Sequence, residues 1–421
     1  MKLVRSLTLV ALGLGALGTA VAVGCGGGTV TGGDGGGGGK EGGGGKDTGG
    51  NPNPDAGPGI TAPVPPKAPT TPVATAQNFA IHQLYLGDTD YGAAKGGGDP
   101  SAWQTMGYNI DGKITTASST NVCKLVMGGG ANGQQAQVDG NGGIDNSFGE
   151  NIFNGILGMV DPTASNTVLT DINLGDFTLM FDVTGLDGTS TQTATGLFAQ
   201  AFAGSKLATP PTTWDPTLDW PILGGPGLLA SETPTMTHGQ TFESAITFPN
   251  AYVVNGTWVS GTPTTISLTL SISSVTLALN INNAVITFDH TSPNHGANGV
   301  ISGVLNTSDL TTAIKSIAGR LAPSLCMGTA LVPIIQQVTD SSDIMSEPDK
   351  ITGSLNPGPQ VTCDAISIGL GFQADVIGQP MEVAPASCAK ADPCDPDASV
   401  PNCDAGQPPP VDSGSDVASK G

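Results

Sequence analysis

Alternating apolar and polar positions dominate the middle of the chain. Short segments rich in Thr, Val, Ile and aromatic residues recur there, and Gly, Asn or Pro separates many of them. This pattern is typical of β-strands with one buried face. The segments predicted as strands are 79–86, 176–185, 195–204, 251–261, 264–281, 284–290 and 364–378. Segment 264–281 fits either two half-buried strands joined by a tight turn or one long bent strand.

Helical spacing replaces this alternation in two later segments. In 306–326 the apolar residues recur every three or four positions, at Leu310, Ile314, Ile317 and Leu321. This spacing predicts a helix with Thr307 or Ser308 as its N-cap. Segment 328–345 predicts a second helix, which is kinked or begins at Pro333.

A third helix is predicted immediately after the stretch "VDGNGGIDNSFGEN" (138–151). Ser147 and Glu150 have the spacing of a capping box, in which each side chain accepts from the backbone amide of the other residue. The apolar stripe that follows at helical spacing comprises Ile152, Phe153, Ile156, Leu157 and Val160.

The order of these elements predicts a mainly β fold. Helices do not alternate with strands, which argues against a parallel βαβ arrangement. We expect one globular domain over 78–385, an antiparallel β-sandwich-like domain with a few helices packed on one side or end. No repeat of 20–50 residues indicates a propeller or a solenoid.

The N-terminus has the layout of a secretory signal peptide over 1–24. Lys2 and Arg5 precede an apolar or small stretch, 7–23, which leads into Gly24 and Cys25. Gly24 before Cys25 resembles a bacterial lipobox, which implies that Cys25 is lipidated and begins the mature chain. By resemblance to Gram-negative lipoproteins, Gly26 implies sorting to the outer membrane. The alternative is an uncleaved membrane helix.

Two low-complexity segments flank the predicted domain. Residues 25–77 are first mostly Gly and then rich in Pro, Thr and Ala, which predicts a disordered, lipid-anchored tether. Residues 386–421 form a Cys-containing acidic tail with few large apolar residues.

The chain is strongly acidic. Its 35 Asp and Glu residues exceed 14 Lys and Arg residues, for a formal net charge of −21. This balance argues against nucleic acid as a partner and against direct adsorption to anionic lipid headgroups. It suits an exported surface protein that takes up divalent cations.

Six cysteines remain once Cys25 is lipidated: Cys123, Cys326, Cys363, Cys388, Cys394 and Cys403. An even number in an exported chain predicts three disulfides, with about fifteen possible pairings. Proximity along the chain favours Cys394–Cys403 and Cys363–Cys388, which leaves Cys123–Cys326. A zinc site is disfavoured because no CxxC pair exists.

Acidic turns supply the strongest candidate chemistry. Calcium is bound by closely spaced carboxylate, amide and backbone oxygens, and three turns between 86 and 151 offer them. The predicted calcium ligands are Asp88, Asp90, Asp111, Asp139, Asn141 and Asp145. Ile144 occupies the position at which an EF-hand requires Gly, so the stretch is not an EF-hand. The alternative is that these residues only form Asx turns.

Two other constellations carry weaker signals. Asp215, Asp219 or Glu243 could supply the paired carboxylates of a glycosidase, and Trp214 and Trp220 could stack on sugars or simply fix their loop to the core. The stretch "FDHTSPNHGANG" offers Asp289, His290 and His295 for a metal, or is a polar hairpin loop. No familiar catalytic or phosphate-binding motif occurs.

Part of the chain, roughly 79–160, resembles uncharacterised secreted or lipid-anchored proteins of myxobacteria and their relatives. The shared pattern comprises Gly87-Asp88-Thr89-Asp90, Trp103, Gly107, Asp111-Gly112-Lys113, Cys123, Asp139-Gly140 and Gly143 through Gly149. The resemblance implies export and anchoring, and no mechanism.

The sequence therefore predicts an outer-membrane or cell-surface lipoprotein with a non-catalytic structural or binding role, and with calcium as its candidate stabilising ion. Its partners would be the membrane, through the lipid anchor, and an extracellular polymer or protein. One alternative is an extracellular glycan-active enzyme or a carbohydrate-binding module. Another is a binder of a small molecule or lipid inside the sandwich.

Overall fold

The fold was analysed in a computed structural model. It describes residues 59–89, 98–126, 136–157, 164–224, 242–272, 275–321, 323–326, 328–380 and 382–384. The predictions for the signal peptide, for Cys25 and for the acidic tail lie outside these ranges.

Strands account for most of the regular structure in the described residues. They are β1 (Ala76–Tyr85), β2 (Thr178–Thr184), β3 (Ala194–Gly204), β4 (Ile222–Leu223), β5 (Thr247–Val254), β6 (Thr257–Val259), β7 (Thr264–Ile272), β8 (Val275–Ser292), β9 (His295–Asn306), β10 (Ala365–Ile377) and β11 (Val383–Ala384). The prediction of a mainly β fold is thus confirmed.

Eight of these strands close into an antiparallel barrel. Around the barrel the neighbours are β1, β10, β9, β8, β6, β5, β3 and β2, which pairs with β1 again. Closure depends on β3, which pairs with β2 along one edge and with β5 along the other. The predicted sandwich is therefore wrong, because alternation within strands does not reveal whether the two ends of a sheet meet.

The remaining strands lie outside the ring. β7 pairs with the first part of β8, from Ile272 opposite Val275 to Thr264 opposite Ala284. β4 and β11 form a short parallel pair attached to the end of β3. The stretch 264–281 is therefore two paired strands, the first of the two predicted alternatives, and β8 continues beyond it to Ser292.

Aromatic side chains fill the barrel interior. Phe79 on β1 and Phe288 on β8 have ring centroids 5.0 Å apart, although these strands are not neighbours in the barrel. Trp258 stacks on Phe288 of the neighbouring strand at 5.0 Å, and Phe372 on β10 lies 5.9 Å from Phe181 on β2, across the intervening β1. All of these rings are buried, and the contact between Phe79 and Phe288 joins strands that are not neighbours, so the interior is a packed core.

Four helices are described: α1 (Phe148–Leu157), α2 (Ala164–Asn173), α3 (Thr307–Leu321) and α4 (Gly328–Asp340). They pack against the strands, with α2 against β1 and β7 and α3 against β8, and their buried side chains join the barrel's core cluster. α1 has π-helical geometry and buries Ile152, Phe153 and Ile156, which confirms that part of the predicted stripe. None of the described helices is long and apolar enough to cross a membrane.

Asparagine caps two of these helices, and both cap predictions are wrong. The Oδ1 atom of Asn306 accepts from the amides of Ser308 and Asp309 at the start of α3. At the start of α1, Asn146 accepts from the amide of Gly149. The Ser147 hydroxyl instead donates to the carbonyl of Ser341, because tertiary partners compete for it.

Glycine explains where strand prediction failed. Asn255 and Gly256, both with positive φ, form a turn that divides the predicted strand 251–261 into β5 and β6. β9 was missed because Gly296 and Gly299 interrupt its apolar pattern. These glycines lie against the rings of Phe288 and Phe372, where a Cβ would collide.

The end of the predicted tether lies against the domain. The Ile60 amide donates to the Gly142 carbonyl at 2.8 Å, and the Tyr252 hydroxyl donates to the Pro63 carbonyl. The amide of Thr70 donates to the carbonyl of Thr193 at 2.8 Å. Residues 59–70 therefore run along the outside of the barrel.

Candidate functional site

Four buried carboxyl groups gather near the beginning of β10. Asp111, Asp139 and Asp145 were predicted as calcium ligands, and Asp343, which follows α4, joins them. The first three lie in the loops 106–115 and 136–147, which cross the outside of the barrel. We call these four residues the carboxylate cluster.

Two carboxyl groups of the cluster accept hydrogen bonds from the loop 106–115. Asp145 Oδ2 accepts from the backbone amides of Ile110, at 2.7 Å, and Asp111, at 3.2 Å. Asp139 accepts from the amide of Thr115 at 2.5 Å. These bonds tie the loop 136–147 to the loop 106–115.

Asp111 and Asp343 extend these ties to the C-terminal part of the domain. Asp111 accepts from the amide of Lys113 and from the side chain of Asn356, at 2.7 and 2.8 Å. Asp343 accepts from the backbone amide of Ser367 on β10 at 2.8 Å and from its hydroxyl. The cluster thus joins three segments that are distant in the sequence.

Burial and mutual repulsion favour the protonated forms of these groups. Burial raises the pKa of Asp139 to about 8 and that of Asp343 to about 7, and nearby carboxylates add to both shifts. Asp145 is fully buried, so burial and then the charges of Asp111, Asp139 and Asp343 raise its pKa well above the ordinary value. The cluster therefore holds protons at a pH at which ordinary Asp residues have lost them.

The other predicted calcium ligands do not join this cluster. Asp88 accepts a hydrogen bond from the hydroxyl of Ser165, which lies in the first turn of α2. Asn141 is exposed, and its backbone amide donates to the Gln104 carbonyl at 2.9 Å. Asp90 lies outside the described residues. In the described part of the chain, no three His, Cys, Asp or Glu side chains are arranged to hold a metal ion.

Asn146, next to Asp145, is a residue whose role sequence reasoning missed. Its amide nitrogen donates to the carbonyls of Trp103, Met106 and Gly369, and its oxygen accepts from the amides of Gly149 and Gly369. It therefore fixes the loop 102–107 and the start of α1 onto β10. No local pattern distinguishes it from the other Asn residues of the chain.

A disulfide lies beside the cluster, and it is not the predicted one. Cys123 is bonded to Cys363, so the preferred pairings Cys123–Cys326 and Cys363–Cys388 are both wrong. Parallel backbone pairing of Lys124 with Thr362 brings the two cysteines together, which proximity along the chain does not reveal. Cys326 is also disulfide-bonded, and Cys388, Cys394 and Cys403 lie outside the described residues.

The candidate sugar-binding aromatic residues are packing residues. Trp220 is fully buried, and its Nε1 donates to the carbonyl of Ser205 at 2.6 Å. Trp214 lies between Trp220 and His82, with ring centroids 5.3 and 5.8 Å away. Both residues therefore fix their loop onto the outside of the barrel.

The carboxylates proposed for glycoside hydrolysis are surface groups. Asp215 accepts from the amide and hydroxyl of Thr217 and so forms a local turn. Asp219 and Glu243 are exposed. The bonds from Thr217 lower the pKa of Asp215, which is the opposite of the shift that a general acid needs.

The two histidines of the stretch "FDHTSPNHGANG" point to different sides of the barrel wall. His290 on β8 is buried and lies edge-on to Phe79, with ring centroids 5.3 Å apart. His295 on β9 contacts Asp375 on the outside, and His82 Nδ1 lies 2.9 Å from the other oxygen of Asp375. Asp289 accepts from Thr257 and Asn298, so these three residues do not form one site.

The position of Asp375 between two imidazoles affects its acidity. Burial alone would raise the pKa of Asp375, but the contacts with His82 and then His295 outweigh this effect, so the pKa is lowered. The sequence did not predict that His82 and His295 both contact Asp375, because strands β1, β9 and β10 come from distant parts of the chain.

Comparison of this chain with protein-family models, with curated proteins and with solved structures finds no match. The resemblance to myxobacterial lipoproteins therefore stays a prediction from residues 79–160.

Proposed function

We propose that this protein is a lipid-anchored outer-membrane or cell-surface protein whose barrel domain has a non-catalytic structural or binding role. The N-terminal layout supports the anchor, since a basic start and an apolar stretch precede Cys25. The low-complexity segment that follows supports a tether between the lipid and the domain. The net negative charge suits a solvent-facing position away from anionic headgroups.

One observation carries the non-catalytic part of the proposal. The chemistry-bearing groups that the fold gathers most closely, the carboxylate cluster, are buried and bonded to backbone amides. Groups bonded in this way stabilise loops, and their oxygens are engaged by the protein's own backbone amides and side chains.

The packing of the domain weakens the alternatives. The aromatic core occupies the barrel interior, where a lipid or small molecule would have to bind. The surface carboxylates Asp219 and Glu243 lack a burying environment, and the candidate stacking residue Trp214 already packs against two rings. A structural role, or binding through the outer surface, is thus the better-supported function.

Metabolic labelling tests the anchor directly. We expect the full-length chain, expressed in a Gram-negative host with an alkyne-bearing palmitate, to carry the label and to sediment with membranes. Cys25→Ser should lose both properties, whereas the neighbouring control Gly27→Ala should keep them. Label retained in Cys25→Ser, or none in the wild type, would reject lipid anchoring at Cys25.

A second measurement tests the non-catalytic role. Purified protein should release no reducing sugar from a panel of extracellular glycans, and Asp215→Asn, Asp219→Asn and Glu243→Gln should not alter this result. Turnover that any of these three substitutions abolishes would favour the glycan-active alternative.

A further inference from the structure

Three of the four histidines of the chain gather around one end of the barrel. There β1 begins, β8 turns into β9, and β10 ends. His82 and His295 lie on the outer surface against Asp375, while His290 lies inside. We call this region the turn end; the carboxylate cluster lies at the other end of β10.

His290 is buried without a well-aligned hydrogen-bond partner. The residue is 1 % exposed, and neither ring nitrogen forms a well-aligned hydrogen bond within the described residues, although the Pro293 backbone lies close enough to favour a proton on the ring. Its ring is perpendicular to that of Phe79, at a centroid distance of 5.3 Å. A neutral imidazole tolerates this apolar site, whereas an imidazolium would have two N–H donors to satisfy.

Two hydrogen bonds tie the β8–β9 turn to its neighbouring strands over His290, and one of them runs from the amide of Val376 on β10 to the Asn294 carbonyl at 2.9 Å. The Nε2 atom of Gln77 donates to the carbonyl of Pro293 at 2.9 Å, and so joins β1 to the β8–β9 turn. The loop 185–193 lies against the same turn, since a Cβ on Gly188 would be 3.1 Å from Pro293 Cα. The oxygens Gln77 Oε1 and Ser292 Oγ are buried here without partners as well.

The charged groups around His290 come from several elements. Asp187 on the loop 185–193 is the carboxylate whose charge reaches His290. Asp289 on β8 points outward to Thr257, and Asp375 on β10 contacts the two outer histidines. His82 and His295 thus contact the carboxylate of Asp375. His290 has no carboxylate in contact with its ring among the described residues.

We propose that His290 makes the turn end an acid-sensitive latch. On acidification the imidazole takes up a proton, and the turn 292–294 and the loop 185–193 separate so that the cation reaches water. The rest of the barrel stays folded, because its aromatic core extends away from this end. The latch does not depend on the lipid anchor.

The acidity of His290 supports this mechanism. Burial lowers its pKa below the ordinary value, although the Pro293 carbonyl and Asp187 oppose the shift. A lowered pKa means that His290 contributes its full stability above the pKa of the unfolded chain, about 6.5. That contribution is lost as the pH falls through 6.5 towards the pKa of the folded state.

Hydrogen exchange of the full-length protein tests the latch. At pH 5, relative to pH 7.5 and after correction for the intrinsic rate, we expect at least about tenfold faster exchange in 185–193 and 290–298. His290→Gln should lose this acid effect, and the matched control His295→Gln should keep it. Acid-enhanced exchange that persists in His290→Gln, or that is missing from the wild type, would overturn the proposal.

A titration of the wild-type protein covers the case in which His290→Gln does not fold. One histidine ring resonance should titrate below the ordinary histidine pKa and report on the turn end. If no histidine resonance titrates below the ordinary pKa while the protein remains folded, the latch does not exist.

Discussion

Asn78 and Asp182 lie directly opposite each other on β1 and β2, and each has a buried side-chain oxygen without a hydrogen-bond partner. Burial raises the pKa of Asp182 to about 7, which the Gln200 amide only partly opposes. A proton on Asp182 would let its carboxyl donate to Asn78 Oδ1 and satisfy both oxygens. The two unpaired acceptors, Asn78 Oδ1 and Asp182 Oδ1, therefore lie on paired residues, and their burial favours the protonated form of Asp182.

Replacing Asp182 with Asn should stabilise the protein at alkaline pH. Because its pKa is raised in the folded state, the stabilising effect of Asp182 is complete below about pH 3.8 and is lost as the pH rises towards 7. We expect Asp182→Asn to gain about 3 kcal/mol in unfolding free energy at pH 8.5 and little at pH 4. Urea unfolding at both pH values measures this, with exposed Glu347→Gln as control. Equal effects at both pH values would contradict it.

Asp145 should tolerate Asn far better than Ala. Asparagine keeps an oxygen for the amides of Ile110 and Asp111 and removes a charge from the carboxylate cluster. Alanine leaves both buried amides unpaired, which costs about 2–4 kcal/mol. Urea unfolding at pH 8 should therefore rank Asn at or above the wild type and Ala well below it. Equal losses in the two variants would show that the hydrogen bonds are unimportant.

Calcium binding at the carboxylate cluster would require its side chains to rearrange, since no three of them are arranged to hold a metal ion in this structure, and it would have a particular pH dependence. Because the pKa values of Asp139 and Asp343 are raised to about 8 and about 7, part of the cluster is ionised at pH 8. Millimolar calcium should therefore raise the melting midpoint of the protein relative to its midpoint in chelator. At pH 5 protons occupy the cluster and the shift should shrink. Asp343→Asn should reduce the pH 8 shift, and Asp88→Asn should not. An unchanged midpoint at pH 8 removes calcium as a stabilising ion.

The Cys123–Cys363 disulfide should contribute substantially to stability. It closes a separation of 240 residues, and losing a native disulfide costs about 2–5 kcal/mol. We expect the double variant Cys123→Ala, Cys363→Ala to lose that much in urea unfolding. Peptide mapping without reduction should recover the Cys123 and Cys363 peptides linked. A linked Cys363–Cys388 peptide would restore the pairing favoured by sequence proximity.

Local sequence patterns predicted most of the strands. Segments 176–185, 195–204 and 364–378 correspond to β2, β3 and β10, and α3 begins within one residue of its predicted start. These elements were predictable because alternation and helical spacing depend only on neighbouring side chains. Strand β9 was not predictable in this way. Its Gly296 and Gly299 make room for the rings of Phe288 and Phe372, which lie on other strands.

The candidate sites were predictable only in part. Asp111, Asp139 and Asp145 stand out because acidic residues beside glycine mark turns, and the structure brings the three together. Asp343 has no such signal, and Asp88 belongs to a separate contact with Ser165. Which turns meet depends on the path of the chain between them.

The sequence by itself determined the strand-rich character of the domain, the buried stripe of α1 and the acidic turns, because each depends on residues near one another in the chain. The tertiary structure decided that the sheet closes into a barrel, that Cys123 meets Cys363, and that His82 shares Asp375 with His295. His82 and Asp375, for example, are 293 positions apart. These pairings follow from strand order and register, which no local pattern records.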